Sequence, residues 1–129
     1  MEEVIIVKGR PRGKERPRVV NRQAFTPMNT KVYEEQVKWA WMAQSKKKKL
    51  TGAIKVTVVA HFRVPKKEKH EYGEPYLHKP DGDNILKIVL DALNGLAYDD
   101  DNQIFNMNCR KVYDPEDEFV AIFLEEEKQ

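Results

Sequence analysis

An α+β fold is predicted for this 129-residue chain: one small domain, a mixed sheet of about four strands and two main helices in the order β-α-β-α-β-β. Three observations carry that reading. The length suits one domain and hardly two. Ile54, Val56, Val58, Ala60 and Phe62 alternate with Lys55, Thr57 and His61, the period of a strand. Ile85, Leu86, Ile88, Val89, Ala92, Leu93 and Leu96 recur at helical spacing and cover most of a helix circumference.

The elements follow in order. Val4–Val7 reads as a first strand. Residues 9–29 hold three prolines, two glycines and six Lys or Arg, and are expected to form an extended, mobile basic arm or loop. Asn29 or Thr30 is expected to cap a helix running to about Ser45, with Val32, Tyr33, Val37, Ala40 and Trp41 as its apolar positions. Lys46–Lys49 ends it, where cations suit the helix dipole. The strand at 54–62 is expected to be central. A charged loop spans Val64 to His78. The second helix is expected from Asp83 or Asn84 to Asn94, stopped by Gly95. Two last strands, about Ile104–Tyr113 and Phe119–Glu125, are joined by the turn Asp114-Pro115-Glu116-Asp117.

Composition excludes several classes. No apolar run approaches the roughly 20 residues of a membrane helix, so no membrane role is expected. The acidic MEEVIIVKGR start does not read as a signal peptide. The lone Cys109 excludes an internal disulfide framework and a Cys-cluster zinc site, and fits a reducing cytoplasm. His61, His70 and His78 have no zinc spacing, and no glycine-rich phosphate loop or nucleophile-elbow serine is present. At this size, dimerisation would help bury surface.

The net charge of +2 conceals a split: residues 1–70 carry 18 Lys and Arg against 6 Asp and Glu, residues 71–129 carry 5 against 15. Either the halves attract each other, or a phosphate-gripping part sits beside a metal-holding part. The stretch from Lys79 to Ile104, KPDGDNILKIVLDALNGLAYDDDNQI, favours the second. It places Asp81, Asp83, Asp100 and Asp101 at the two ends of one helix of roughly 16 Å. Clustered carboxylates suit hard divalent cations. Asp81 and Asp83, two residues apart, share a face if the backbone there is extended. Asp83 alone also reads as a helix cap. Asp100 and Asp101 join them only if the loop doubles back to the helix start; alone they read as a solvated acidic loop. Lys87, one turn beyond Asp83, either pairs with Asp83 or Asp91 or points its ammonium at a bound phosphate. Gln103 either orients water or phosphate or is structural. His78 is a candidate for a phosphate or base contact.

Lys79-Pro80-Asp81-Gly82-Asp83-Asn84-Ile85-Leu86-Lys87, then Asp91-Ala92-Leu93-Asn94-Gly95, then Asp100-Asp101-Asn102-Gln103-Ile104 resembles the motif series of the RusA-type Holliday junction resolvases, small endonucleases often encoded by prophages. The resemblance implies a homodimeric, Mg²⁺-dependent enzyme, with Mn²⁺ as a substitute, that resolves four-way junction DNA by paired incisions in recombination and repair. It implies catalytic, metal-holding roles for Asp81, Asp83 and Asp101, with Asp100 in support, and assigns the family lysine to Lys87. Tyr72, Tyr76 and His78 occupy the region that opens the junction in such enzymes, without a one-to-one match. Lys8, Arg10, Arg12, Lys14, Arg16, Arg18 and Arg22 are the expected phosphate grip. Two rival readings use the same residues: a Mg²⁺-dependent nucleotide hydrolase, and a DNA-binding module with a structural metal and no cleavage.

Overall fold

The computed structural model describes residues 2–46 and 49–127. Its element order is β1 (Glu2–Lys8), β2 (Arg18–Val20), β3 (Gln23–Phe25), α1 (Met28–Gln44), β4 (Ala53–Arg63), α2 (Gly82–Leu93), a short 3₁₀ turn (Asp101–Gln103), β5 (Ile104–Asp114) and β6 (Phe119–Glu127). The four long strands form one mixed sheet in the order β1-β6-β4-β5, an α+β architecture. β4 pairs parallel with β5 and antiparallel with β6, and β6 pairs antiparallel with β1. β4–α2–β5 is therefore a βαβ unit, the connection that parallel neighbours require.

Ile5 and Val7, the inward series Ile54 to Phe62, and Val120, Ile122 and Leu124 supply the sheet side of the core. Tyr33, Val37 and Trp41 of α1 and Ile85, Ile88, Val89 and Leu93 of α2 cover them. Val32 departs from expectation: it is 49% exposed, and Thr30 takes the inward position instead. Thr30 turned inward cannot cap. The helix begins at Met28, after Pro27, without a side-chain cap; proline's fixed φ suits a helix entry. Lys47 and Lys48 lie outside the described residues.

The expected loose arm contains a hairpin, β2 paired with β3. Its turn residues Asn21 and Arg22 both adopt positive φ, 52° and 65°. That geometry matches the twist of two-residue hairpins, and Arg22 is a residue type that seldom adopts it. Asp114–Asp117 does not close a hairpin between β5 and β6. The chain passes the end of β4 and enters the sheet two positions away. Asp114, 5% exposed, pins that passage. Its Oδ1 accepts from the amides of Glu116 (2.9 Å) and Asp117 (3.2 Å), and its Oδ2 lies 3.0 Å from His61 Nδ1 on β4.

The sheet has two edges. At β1, the Gln44 side chain accepts from Ile6 N (2.7 Å) and donates to Ile6 O (2.8 Å), covering the edge there. At β5, the loop 73–76 covers only the last residues, through Tyr76 N to Lys111 O and Tyr113 N to Glu74 O. The first half of β5 is uncovered, with Phe105 59% and Met107 51% exposed. No helix among the described residues is long and apolar enough to cross a membrane.

Candidate active site

α2 starts at Gly82, one or two residues earlier than expected, and the change matters. Asp81 occupies the N-cap position in extended backbone, while Asp83 already lies in the first helical turn. The two carboxylates therefore do not share the face of a strand. Asp83 is not the cap, and Asp81 makes no side-chain cap bond, so both carboxylates remain unspent on helix capping. The start of α2 lies against β5: Gly82 packs on Cys109, where an added Cβ would lie 3.6 Å from Sγ, and the Asp83 charge reaches that thiol. Burial pushes the Cys109 thiol up to about 11; the Asp83 charge adds to this and Lys111 opposes it.

The loop before Asp81 is held from two sides. Lys111 Nζ donates to His78 O (2.7 Å) and Pro80 O (3.0 Å). The Tyr76 hydroxyl donates to Lys79 O and accepts from Arg10 (both 3.2 Å). Tyr76 stacks on Phe62 with centroids 3.7 Å apart and is buried, so it cannot reach DNA. Tyr72 and His78 are exposed. Sequence reasoning missed Lys111 and the anchoring role of Tyr76, because neither lies in the acidic motif; their partners are carbonyls that no residue pattern records.

The basic arm forms the facing wall. Arg10, Arg12, Lys14, Lys79, Asp81 and Asn84 are among the residues lining a cleft of about 350 Å³ between arm and α2. Gly13 allows this approach: a Cβ there would lie 2.8 Å from Pro80 Cβ and 3.1 Å from Asn84 Cβ. Lys14 N donates to Asn84 O (2.9 Å). Two of the cations expected to grip phosphate are committed within the chain. Lys14 Nζ bridges Glu34 (2.9 Å) and Asp91 (3.1 Å). Arg10 pairs with Glu118 (3.6 Å) and lies over the Phe62 ring. Lys8, Arg12, Arg16, Arg18 and Arg22 make no ion pair among the described residues and are exposed. Lys87 is exposed and likewise unpaired among them. Asp91, its expected partner, is held by Lys14 instead.

The loop after α2 does double back, but only part way. The Tyr98 hydroxyl donates to Leu90 O (2.7 Å), which returns the chain to the last turn of α2. Asp101 comes within electrostatic reach of Asp91, and among the described residues it forms no metal-holding group of three with Asp81 and Asp83. A hydrogen bond with Asp100 and the nearby Asp91 charge push the Asp101 carboxyl up; Asp100 is held down, first by the Asn102 amide. Gln103 is structural. It completes a capping box with Asp100, and its Nε2 donates to Leu50 O and Gly52 O (3.1 Å each). Asp99 pairs with Lys49 at 2.7 Å. Among the described residues of one chain, no three acidic, histidine or cysteine side chains are grouped to hold a metal ion. The carboxylate chemistry suits a hard cation, whereas its arrangement in a single chain is split between the two ends of α2.

This fold, with its acidic helix and facing basic arm, belongs to a family of DNA-cutting enzymes. Residues 8–125 match the family model of endodeoxyribonuclease RusA, and the chain is a member of that family. It is also 32% identical over 120 residues to the uncharacterised protein YqaN of Bacillus subtilis (strain 168), covering 86% of this chain and 83% of that protein.

Proposed function

We propose that the protein is a divalent-metal-dependent endonuclease that resolves four-way DNA junctions by paired cuts, acting as a homodimer. The observation that carries this reading is the cleft in which Asp81 faces a wall of arm cations. An acidic residue with no side-chain partner among the described residues, beside the unpaired Arg12, suits a site that takes a phosphate and a cation together.

Homodimerisation answers the split of the carboxylates. The uncovered half of β5 has unpaired backbone groups and exposed Phe105 and Met107, and a free strand edge is a template for pairing. The strand begins after Asp100 and Asp101 and carries Arg110 and Lys111 towards its other end. Antiparallel pairing with a second copy sets acidic start against basic end in both directions, as a two-fold interface demands. Because Gly82 and Asp83 sit at Cys109, the same pairing carries the partner copy's acidic loop toward the head of α2. Asp81 and Asp83 of one copy with Asp100 and Asp101 of the other would then hold the ion.

A divalent cation held there supplies an activated water and neutralises phosphate charge. The chain's own residues do the rest. Arg12 and the exposed arm arginines bind the backbone, and Lys87 meets charge building on the scissile phosphate. Asp100 completes the ligand shell beside Asp101 or orients water. Two such sites in a C2 dimer match the approximate two-fold symmetry of a four-way junction.

The test is cleavage of a synthetic junction in Mg²⁺ or Mn²⁺, beside linear duplex, single strand and free nucleotides. Paired, symmetric cuts in the junction alone are expected, and Asp81→Asn, Asp83→Asn and Asp101→Asn should each abolish them while retaining binding. Nucleotide hydrolysis without junction cutting, or junction binding without cutting at any metal concentration, would overturn the reading.

A further inference from the structure

A second pocket of about 230 Å³ lies between the basic arm and α1. Its walls include Lys8, Arg12, Asn29, Tyr33 and Gln36, and no carboxylate of the described residues lines it. Tyr33 is 3% exposed, and its hydroxyl oxygen is buried with no hydrogen-bond partner among the described residues. A buried hydroxyl in that state is costly, and native structures seldom leave one so. The positive side chains on the walls specify the sign of what would satisfy it. Lys8 and Arg12 have no ion pair among the described residues, and the amides of Asn29 and Gln36 add neutral donors.

We propose that this pocket holds a backbone phosphate of bound nucleic acid, with the Tyr33 hydroxyl donating to it between Lys8 and Arg12. Arg10 and Arg12 line both this pocket and the cleft at Asp81, so the two form one strip along which a strand passes. The phosphate held here flanks the one that is cut. The assignment rests on the nuclease reading for its ligand, and on the orphan hydroxyl and the unpaired cations for its location. Tyr33 thereby becomes a binding residue in a helix whose sequence reads only as core packing.

Tyr33→Phe removes one oxygen and tests this. Affinity for junction DNA should fall by about tenfold, the worth of a hydrogen bond to a charged group. The melting temperature should stay level or rise, since the hydroxyl satisfies nothing within the fold. Replacing single phosphates of the DNA by neutral methylphosphonates should reveal one position, near the cut, that costs wild-type affinity but costs the Tyr33→Phe protein nothing. An unchanged affinity, or a lowered melting temperature with no such position, would overturn the proposal. Titration with inorganic phosphate alone, followed at the Tyr33 ring by NMR, separates the sources. Saturation by free phosphate with no effect of any linkage on DNA affinity would overturn the nucleic-acid assignment. A protein that binds linear duplex as tightly as the junction, yet shows the Tyr33-dependent linkage, would refute junction selectivity and uphold the pocket.

Discussion

Lys87 is the side chain whose surroundings most narrow its role. Sequence spacing alone allows either a surface ion pair or a phosphate interaction. In the fold, Asp91 is taken by Lys14, and Lys87 stands exposed one turn from Asp83, with no ion pair among the described residues. A charge with no structural partner that serves mainly the transition state affects turnover more than binding. Lys87→Ala should therefore slow single-turnover junction cleavage by roughly 10²-fold, a few kcal/mol in barrier, with affinity and melting temperature little changed. Cleavage at the normal rate would remove Lys87 from the site. Asp114 makes the opposite kind of claim, about stability alone. Burial works against its charged form, but the Glu116 and Asp117 amides and His61 outweigh this and hold its carboxyl below the usual range. A folded-state value below the unfolded one means that the stabilisation is present above the unfolded value and disappears as pH falls through the folded one. Asp114→Asn should cost about 2 kcal/mol near neutral pH and flatten the acid limb of the melting curve. An acid limb unchanged from wild type would show that the aspartate contributes nothing there.

At the scale of the element, the arm is where sequence and fold diverge most, and the reasons are local. Its prolines and glycines read as loose chain. The β2–β3 hairpin depends on Asn21 and Arg22 entering the left-handed region, and nothing in the composition announces that for an arginine. The arm's charges also read as one set, whereas the fold divides them. Arg10 and Lys14 face the acidic half of their own chain, so part of the charge asymmetry is intramolecular attraction. Arg12, Arg16, Arg18 and Arg22 remain available to a ligand. Replacing those four together should weaken binding to any DNA. The slope of log K against log salt should fall by about 0.9 for each duplex phosphate that the arm no longer neutralises. An unchanged slope would mean that the arm does not track the backbone. α2 shows the reverse case. Its apolar spacing and Gly95 made the helix readable to within two residues, and the alternation of β4 made a buried central strand readable. The start of α2 is hard to read from sequence because Asp, Asn and Gly at 81–84 offer several equivalent caps; in the fold Gly82 lies against Cys109.

For the whole molecule, the order of strands could not be read from a single chain's pattern. The turn at Asp114–Asp117 resembles a hairpin turn, yet β4 lies between β5 and β6. That order makes β5 an edge and leaves Phe105 and Met107 uncovered. It also sends Asp101 to the foot of α2 while Asp83 stays at its head. The acidic motif is legible in the sequence as a set, but the proposed division of that set between two copies is not, because spacing along a chain does not record symmetry. The central claim is that each site takes Asp81 and Asp83 from one copy and Asp101 from the other. Mixing inactive Asp83→Asn and Asp101→Asn proteins, after allowing subunits to exchange, tests it directly. A heterodimer then carries one site with both defects and one with none. Random exchange in a two-fold dimer should return roughly a quarter of wild-type sites, read as nicking of one junction strand, while Asp81→Asn mixed with Asp83→Asn should recover nothing. Absence of nicking in the first mixture, with heterodimers demonstrated by mass spectrometry, would contradict the shared site.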